Sequence, residues 1–329
     1  MSWSDLYGDI PYVERNAWNG LLLFFDRPTD NYWIRNCLFK KLYPKGAIRF
    51  LNVNSTMAIY LSDTVFHTCY TDYPRLSGGA FYWNQNGKVS QYALCYYNVY
   101  CNGNGQAIGV QCGNNANSIN YLNMTTFSKI GRNVNTGDYA IGLTNGRIVF
   151  NNNNLSESIN SNRPGPHSNL NGHDCIYKQT QFRNLTSADS INSNGLTSGQ
   201  FTHYVILNNF IGCISTSSDG TLFIGDAKLV ITSCVFLENK VTYYAKNKVR
   251  VEFNDTYTDT PLKVSAPASD IQNIRQDSNE LELPLLAFDV CYRPTYFQDS
   301  KMLQKVSRKA LSAALAQIPS MASREGSYI

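Results

Sequence analysis

The side chains that most often carry catalysis are few in this sequence and stand far apart. A polysaccharide hydrolase needs two carboxylates placed together for general acid and base catalysis. Within the repetitive part of the chain the carboxylates are instead scattered, among them Asp63, Asp72, Asp138, Glu157, Asp174, Asp189, Asp219 and Asp226. The four histidines, His67, His167, His173 and His203, lack the HxxxH and HExxH spacings of metal sites. We therefore expect no enzyme activity, and no catalytic, cofactor-binding or metal-binding residue is assigned.

Two denser groups of potentially reactive residues also fail as sites. His173, Asp174 and Cys175 are adjacent, but neighbouring residues on a strand point to opposite faces and cannot act together. Gly103-Asn104-Gly105 lacks the lysine and the following helix of a phosphate-binding loop. The nine cysteines contain no paired CxxC spacing, which disfavours zinc, so we expect them mainly as small buried hydrophobic residues.

Composition indicates short strands with an uncharged polar surface. Of 329 residues, 43% are hydrophobic but only 16% are charged, and 37 are asparagine. Asparagine is typical of turns and ladders, and the 22 tyrosines and 16 phenylalanines favour strands over a helical bundle. The net charge of +4 and the lack of a basic block give no reason to expect a nucleic acid as partner.

A short motif recurs along the chain and predicts the fold. Residues 34–39, 61–66 and 231–236 share an apolar alternation, an Asn/Ser/Asp pair, a small residue and an aromatic one. Weaker copies lie at 92–97, 122–127, 150–155, 176–182, 205–210 and 251–257. Successive aromatic residues are roughly 21 to 31 positions apart, which is the period of a solenoid. The prediction is an all-β, single-stranded, right-handed parallel β-helix; an antiparallel β-sandwich is the alternative.

Stacked repeats place identical side chains above one another inside the coil. A second short strand is predicted midway between the aromatic residues, at 79–81, 106–109, 139–142 and 222–225. Strands about 4.8 Å apart would build internal ladders, with asparagines bonding along the stack. Cys37 and Cys234 are predicted inside as free thiols. One buried aromatic stack is expected from Phe39, Phe66, Phe127, Phe182, Phe210 and Phe236.

Several phrases of the repeat resemble known β-helix families. Gly78-Gly79-Ala80-Phe81 and Phe236-Leu237-Glu238-Asn239 are similar to the two half-motifs of chlamydial-type polymorphic membrane proteins. Residues 119–123 and 233–239 resemble the Asn/Tyr-rich right-handed parallel β-helix proteins of trichomonads more closely. The likeness covers roughly residues 30 to 260. It implies a parallel β-helix, and the surface location of such proteins implies a cell-surface adhesion or recognition role as one possibility.

The segments outside the repeat have different predicted roles. Residues 1–30 are aromatic and irregular and are expected to cap the open end of a β-helix over 31–260. A connector with four prolines is predicted over 261–299, and a C-terminal helix and tail over 300–329. The predicted helix has one apolar face with a basic face beside it. Its predicted partner-binding residues are Leu303, Val306, Leu311, Leu315, Lys301, Lys305, Arg308 and Lys309.

These features predict a structural protein rather than an enzyme. We expect no signal peptide and no membrane span, because the first residues are acidic and no apolar run reaches about 20 residues. The leading hypothesis is an intracellular scaffold that binds other proteins. A rod of eight or nine turns would be about 40 Å long, which is close to the axial repeat of a tubulin subunit. This length suggests tubulin as partner in a cytoskeletal lattice such as a ciliary microtubule. A surface adhesion protein is the alternative, and a polysaccharide-acting enzyme ranks third.

Overall fold

The chain folds into a parallel β-solenoid, which confirms the fold predicted from the repeat. This computed structural model describes residues 1–16, 22–71, 77–84, 86–103, 105–113, 118–131, 139–159, 163–170, 174–187, 191–195, 201–215 and 221–276. Each turn passes through three sheets, called A, B and C in chain order, and every strand pairs in parallel with its equivalents one turn away. The internal ladders therefore run perpendicular to the strands.

The described part of sheet A has eleven strands, that of sheet B nine and that of sheet C ten. Sheet A contains Val13–Asn16, Tyr32–Arg35, Ala58–Ser62, Lys88–Tyr92, Ile119–Asn123, Arg147–Asn151, Cys175–Lys178, Thr202–Ile206, Lys228–Thr232, Arg250–Asn254 and Ala268–Gln272. Sheet B contains Leu38–Lys40, Val65–His67, Cys95–Tyr97, Thr126–Ser128, Asn154–Ser156, Gln181–Arg183, Asn209–Ile211, Val235–Leu237 and Tyr257–Thr258. Sheet C contains Leu23–Asp26, Ile48–Leu51, Phe81–Trp83, Ile108–Gln111, Tyr139–Thr144, Arg163–Leu170, Ile191–Gly195, Thr221–Gly225, Tyr243–Asn247 and Val264–Ser265. Two short pairs, Tyr70–Thr71 with Tyr100–Cys101 and Thr186–Ser187 with Ile214–Ser215, lie between sheets B and C.

A single residue in the left-handed region turns the chain from sheet A into sheet B. These residues have φ between 47° and 54° and include non-glycine types such as Met124 and Leu207. The next residue points into the coil and forms a buried corner column. Its members are Cys37, Thr64, Leu94, Thr125, Asn153, Thr180, Asn208, Cys234 and Thr256. This column is an internal ladder of the kind predicted, and Cys37 and Cys234 are buried in it outside any disulfide, as expected.

The aromatic column inside sheet B contains all six predicted phenylalanines, and each is fully buried. Tyr96 joins it between Phe66 and Phe127, with ring centroids 4.6 and 4.8 Å away. The prediction of one continuous stack is wrong, because Leu155 occupies the column between Phe127 and Phe182. Phe150 of sheet A is stacked with Phe182 across this interruption, with ring centroids 6.5 Å apart.

The stacked strands extend further than the predicted range of 31–260. Sheet A begins at Val13 and ends at Gln272. Arg275 adds a further bridge to Tyr257. The terminal strands were missed because their side chains are exposed and polar and lack the aromatic of the motif. Eleven strands stacked at about 4.8 Å give a length of roughly 48 Å, which is longer than the predicted 40 Å.

The first residues do not cap the end of the coil as expected. They form a short helix, α1 (Trp3–Tyr7), that lies on the outward face of sheet A. Tyr7 donates a hydrogen bond to Ser90 Oγ at 2.8 Å, and Tyr60 donates one to the Met1 carbonyl oxygen at 2.9 Å. Burial of Trp3 and Tyr7 against Tyr60 accounts for this lateral position.

The predicted C-terminal helix and tail lie outside the described residues, as does most of the connector. In the part of the chain that the structure describes, no helix combines the length and apolar character needed to cross a membrane.

Candidate interaction surface

The potentially catalytic side chains that the structure describes do not converge. Among the described residues, no three of the His, Cys, Asp and Glu side chains come close enough together to hold a metal ion. Asp63 lies at a corner, where burial raises its pKa. Asp174 accepts a hydrogen bond from the Thr202 amide at 2.8 Å, and Asp226 pairs with Lys248. His167 lies on sheet C, whereas His173, Asp72, Asp138, Asp189 and Asp219 lie outside the residues whose structure is described.

The interior cysteines are held as unreactive thiols. Burial raises the pKa of Cys69, Cys213 and Cys234 to about 12 each, so little thiolate forms near neutral pH. Cys95 differs from them, because its side chain points away from the core and is disulfide-bonded. The described cysteines that take part in no disulfide are Cys37, Cys69, Cys101, Cys112, Cys175, Cys213 and Cys234.

The outward face of sheet A carries a row of apolar side chains that is this fold's best-formed candidate for binding. Residues paired across successive strands form a column through the middle of this face. Outward-facing side chains alternate with core side chains such as Leu122 and Phe150. Five consecutive members, which we call the apolar stripe, are half-buried: Tyr121, Val149, Ile176, Tyr204 and Val230.

The same column begins under α1, which shows how such a surface becomes covered. Tyr60 precedes the stripe in the column, and it is fully buried by α1. The helix contributes two aromatic side chains, Trp3 and Tyr7, to that contact. Ser90 is the next residue in the column, and α1 contacts it through Tyr7. The stripe starts one strand further along, at Tyr121. A short amphipathic element therefore fits this face.

Cationic side chains flank the stripe on both sides. Lys88 and Arg147 lie in the outward column on one side, and Lys178 lies on the other. Within the described residues these three form no ion pair, whereas Lys228 pairs with Glu252 at 3.0 Å. The rim of the stripe is therefore suited to an acidic partner.

Other aromatic surfaces offer little room for a sugar ring. Tyr43, Tyr70 and Tyr100 stack on one another with centroids 4.1 and 4.5 Å apart, so their faces cover each other. A groove of about 450 Å³ beside α1 includes Trp3, Tyr12 and Trp33 among its lining residues. Trp33 already has Tyr60 stacked at 5.7 Å and the Arg35 guanidinium at 4.3 Å. The ring faces that are stacked in this way are unavailable to a sugar.

The stripe is not among the partner-binding residues predicted from the sequence. Lys301, Lys305, Arg308, Lys309, Leu303, Val306, Leu311 and Leu315 lie outside the described residues. The signal that could have revealed the stripe is a second apolar residue in each sheet A strand, next to the core residues. Val149, Ile176 and Val230 all show it.

His203 makes the stability of the coil depend on pH. It lies in an inward column between Cys175 and Leu229, and burial lowers its pKa to about 4, opposed by Asp174. The folded state therefore holds the neutral ring, while the unfolded chain binds a proton below pH 6.5. The contribution of the neutral ring to the free energy of unfolding is fully present above pH 6.5. It is lost as the pH falls toward 4, and the loss is on the order of 3 kcal/mol.

A His203→Leu variant should lose this part of the pH dependence, because leucine fits between the same apolar neighbours. Urea unfolding of both proteins at pH 7 and pH 4.5 measures it, with other titrating groups common to the pair. Equal losses of stability in the two proteins would contradict the assignment.

Comparisons with protein-family models, with curated proteins and with solved structures gave no match. The functional argument therefore depends on the coil and on the surfaces described above.

Proposed function

We propose that this β-solenoid is a non-catalytic structural protein that binds other proteins within a large assembly. The apolar stripe on sheet A is the observation that carries the proposal. It presents five half-buried apolar side chains in a straight row on a rigid sheet, with unpaired cations along its rim. Rows of this kind on soluble folds are typical of protein interfaces.

A cytoskeletal lattice, such as a ciliary microtubule with tubulin as partner, is the finer version of this proposal. The unpaired Lys88, Arg147 and Lys178 favour an acidic partner and support it. The coil is roughly 48 Å long, so its length no longer agrees with the repeat of about 40 Å that suggested tubulin as the partner. An intracellular location belongs to the same proposal, as does a docking role for residues 300–329.

One observation favours the alternative of a cell-surface adhesion or recognition protein. Cys95 is disulfide-bonded, and disulfides persist mainly in oxidising compartments. Fractionation of cells that contain the full-length protein separates the two. Recovery with the detergent-insoluble cytoskeleton supports the scaffold, whereas labelling of intact cells by an impermeant reagent supports the surface role.

The stripe itself is tested by an Ile176→Glu variant of the full-length protein. A carboxylate in the centre of an apolar contact should weaken binding by on the order of tenfold or more. Sedimentation with polymerised tubulin measures this for the microtubule version, and recovery with the insoluble fraction measures it in cells. Removal of residues 300–329 tests the docking arm in the same two assays.

Gln111→Glu is the matched control, because Gln111 is exposed on sheet C and lies far from the stripe. Circular dichroism should show that both variants keep the coil. If Ile176→Glu and Gln111→Glu bind as the natural sequence does, the stripe is not the binding surface.

A further inference from the structure

The apolar stripe continues a contact that the protein already makes with its own helix. Trp3 and Tyr7 are four positions apart in α1, and both are buried on the outward face of sheet A. The Tyr7 hydroxyl lies within hydrogen-bonding distance of Ser90 Oγ, at 2.8 Å, and of the Ile59 carbonyl oxygen, at 3.1 Å. This column of sheet A therefore accepts a helix whose apolar residues recur at i and i+4.

The face of sheet A favours a helix over an extended segment. Its strands pair with one another in a parallel ladder, and the two edges of the described sheet lie at the ends of the coil, away from the stripe. An extended segment laid along the stripe would leave its own backbone N–H and C=O groups against apolar side chains, without partners. A helix pairs its backbone groups internally and presents side chains to its neighbour. A helical occupant is therefore expected.

The dimensions of the stripe set the length of that helix. Tyr121 and Val230, its first and last members, are four strands apart. Strands spaced by about 4.8 Å make this distance roughly 19 Å, which about 13 helical residues span. A helix also advances about 5.4 Å per turn, so that about one turn falls on each strand. Glu252 follows Val230 in the column and ends the apolar surface there.

The charges beside the stripe select the sign of the partner. Lys88 and Arg147 lie on one side and Lys178 on the other, and the three form no ion pair with a described residue. Asp174 is also close to the stripe, where it accepts a hydrogen bond from the Thr202 amide at 2.8 Å. The cations outnumber this carboxylate. Carboxylates on both sides of the apolar face of a partner helix would complement them.

We propose that the apolar stripe binds an acidic amphipathic helix of about 13 residues that belongs to a partner protein. Apolar residues at i, i+4, i+7 and i+11 lie along the stripe, as in other complexes in which a helix docks through one apolar face. Glutamate or aspartate residues on the two flanks of the helix approach Arg147 and Lys178. The inference rests on the proposed function of the stripe and adds the chemistry of the partner.

A displayed library of random peptides of about 14 residues tests this proposal without a known partner. Peptides are selected on the full-length protein, and those that also bind the Ile176→Glu variant are removed. We expect the remaining peptides to carry a net negative charge and to share apolar residues at helical spacing. Enrichment of an alternating apolar pattern, of positively charged peptides, or of no peptide that depends on Ile176 would overturn the proposal.

A synthetic peptide from that selection measures the contribution of the charges. Arg147→Gln should weaken its binding roughly threefold, and added salt should weaken its binding to the natural sequence. Lys240→Gln is the matched control, because Lys240 is exposed and bridges to Ile214, away from sheet A. This control should leave the affinity unchanged. Equal affinity of the peptide for the two variants would reject an acidic partner.

The Ile176→Glu variant separates this inference from the proposed function. Suppose that it no longer sediments with the insoluble fraction of cells, while the selection gives no acidic helical peptide. The stripe then binds a partner of different chemistry, and this inference fails alone. If a selected helix instead depends on Ile176 but recovery of the variant with the insoluble fraction is unchanged, the helix-binding site stands and the role in an assembly fails.

Discussion

Replacement of Phe127 by alanine is expected to lower the free energy of unfolding by about 3–5 kcal/mol. The Phe127 ring is fully buried, its centroid lies 4.8 Å from that of Tyr96, and the two rings stack nearly parallel, at an angle of 3°. It is also the last ring before Leu155 interrupts the column. Its removal leaves a cavity that the neighbouring turns cannot fill, since their backbones are fixed by the strand ladder.

Urea titration of the full-length protein measures this loss. Phe24→Ala serves as the matched control, because Phe24 is 52% exposed on sheet C and its loss should change stability by less than about 0.5 kcal/mol. A Phe127→Ala protein as stable as the Phe24→Ala protein would reject the inward register of sheet B.

Asn208→Leu is expected to cost about 2–4 kcal/mol through lost hydrogen bonds rather than a cavity. Asn208 Oδ1 accepts from the Thr180 amide at 2.7 Å, and Asn208 Nδ2 donates to the Tyr177 carbonyl oxygen at 3.0 Å. Both backbone groups belong to the preceding turn. Leucine matches the volume of asparagine approximately but leaves the Thr180 N–H buried without an acceptor.

Asn208→Thr separates hydrogen bonding from size. Threonine occurs naturally in this corner column, and Thr180 Oγ1 itself accepts from the Asn153 amide at 3.4 Å. We therefore expect Asn208→Thr to lose less than half as much stability as Asn208→Leu. Hydrogen exchange should show faster exchange of the Thr180 amide in the leucine variant; unchanged exchange there would contradict the role of Asn208.

The inward half of the coil could be predicted from the sequence, because it repeats. Phe66, Phe127 and Phe236 each follow a threonine or cysteine by two positions, and the spacing of such copies indicates the length of a turn. Leu155 shows the limit of this reasoning. Leucine matches the apolar pattern of the motif, but only the three-dimensional register shows that it separates two aromatic stacks and that Phe150 lies beside Phe182.

The outward half could not be predicted in the same way. Whether Val149 or Asn154 is accessible depends on what lies across each sheet, and the repeat carries no information on that. The position of α1 was missed for the same reason. Trp3 and Tyr7 looked equally suited to an open end of the coil, and the preference for Tyr60 appears only when sheet A is assembled.

Because every described strand pairs only with its equivalents one turn away, the length of the coil is set by the number of whole turns that it contains. Gain or loss of one whole repeat changes its length by about 4.8 Å and leaves the cross-section unaltered. The apolar stripe then grows or shrinks by one residue, with its direction unchanged. Insertion of a partial repeat would instead move every later side chain off its column. We therefore expect the length of such a coil to change during evolution by whole repeats.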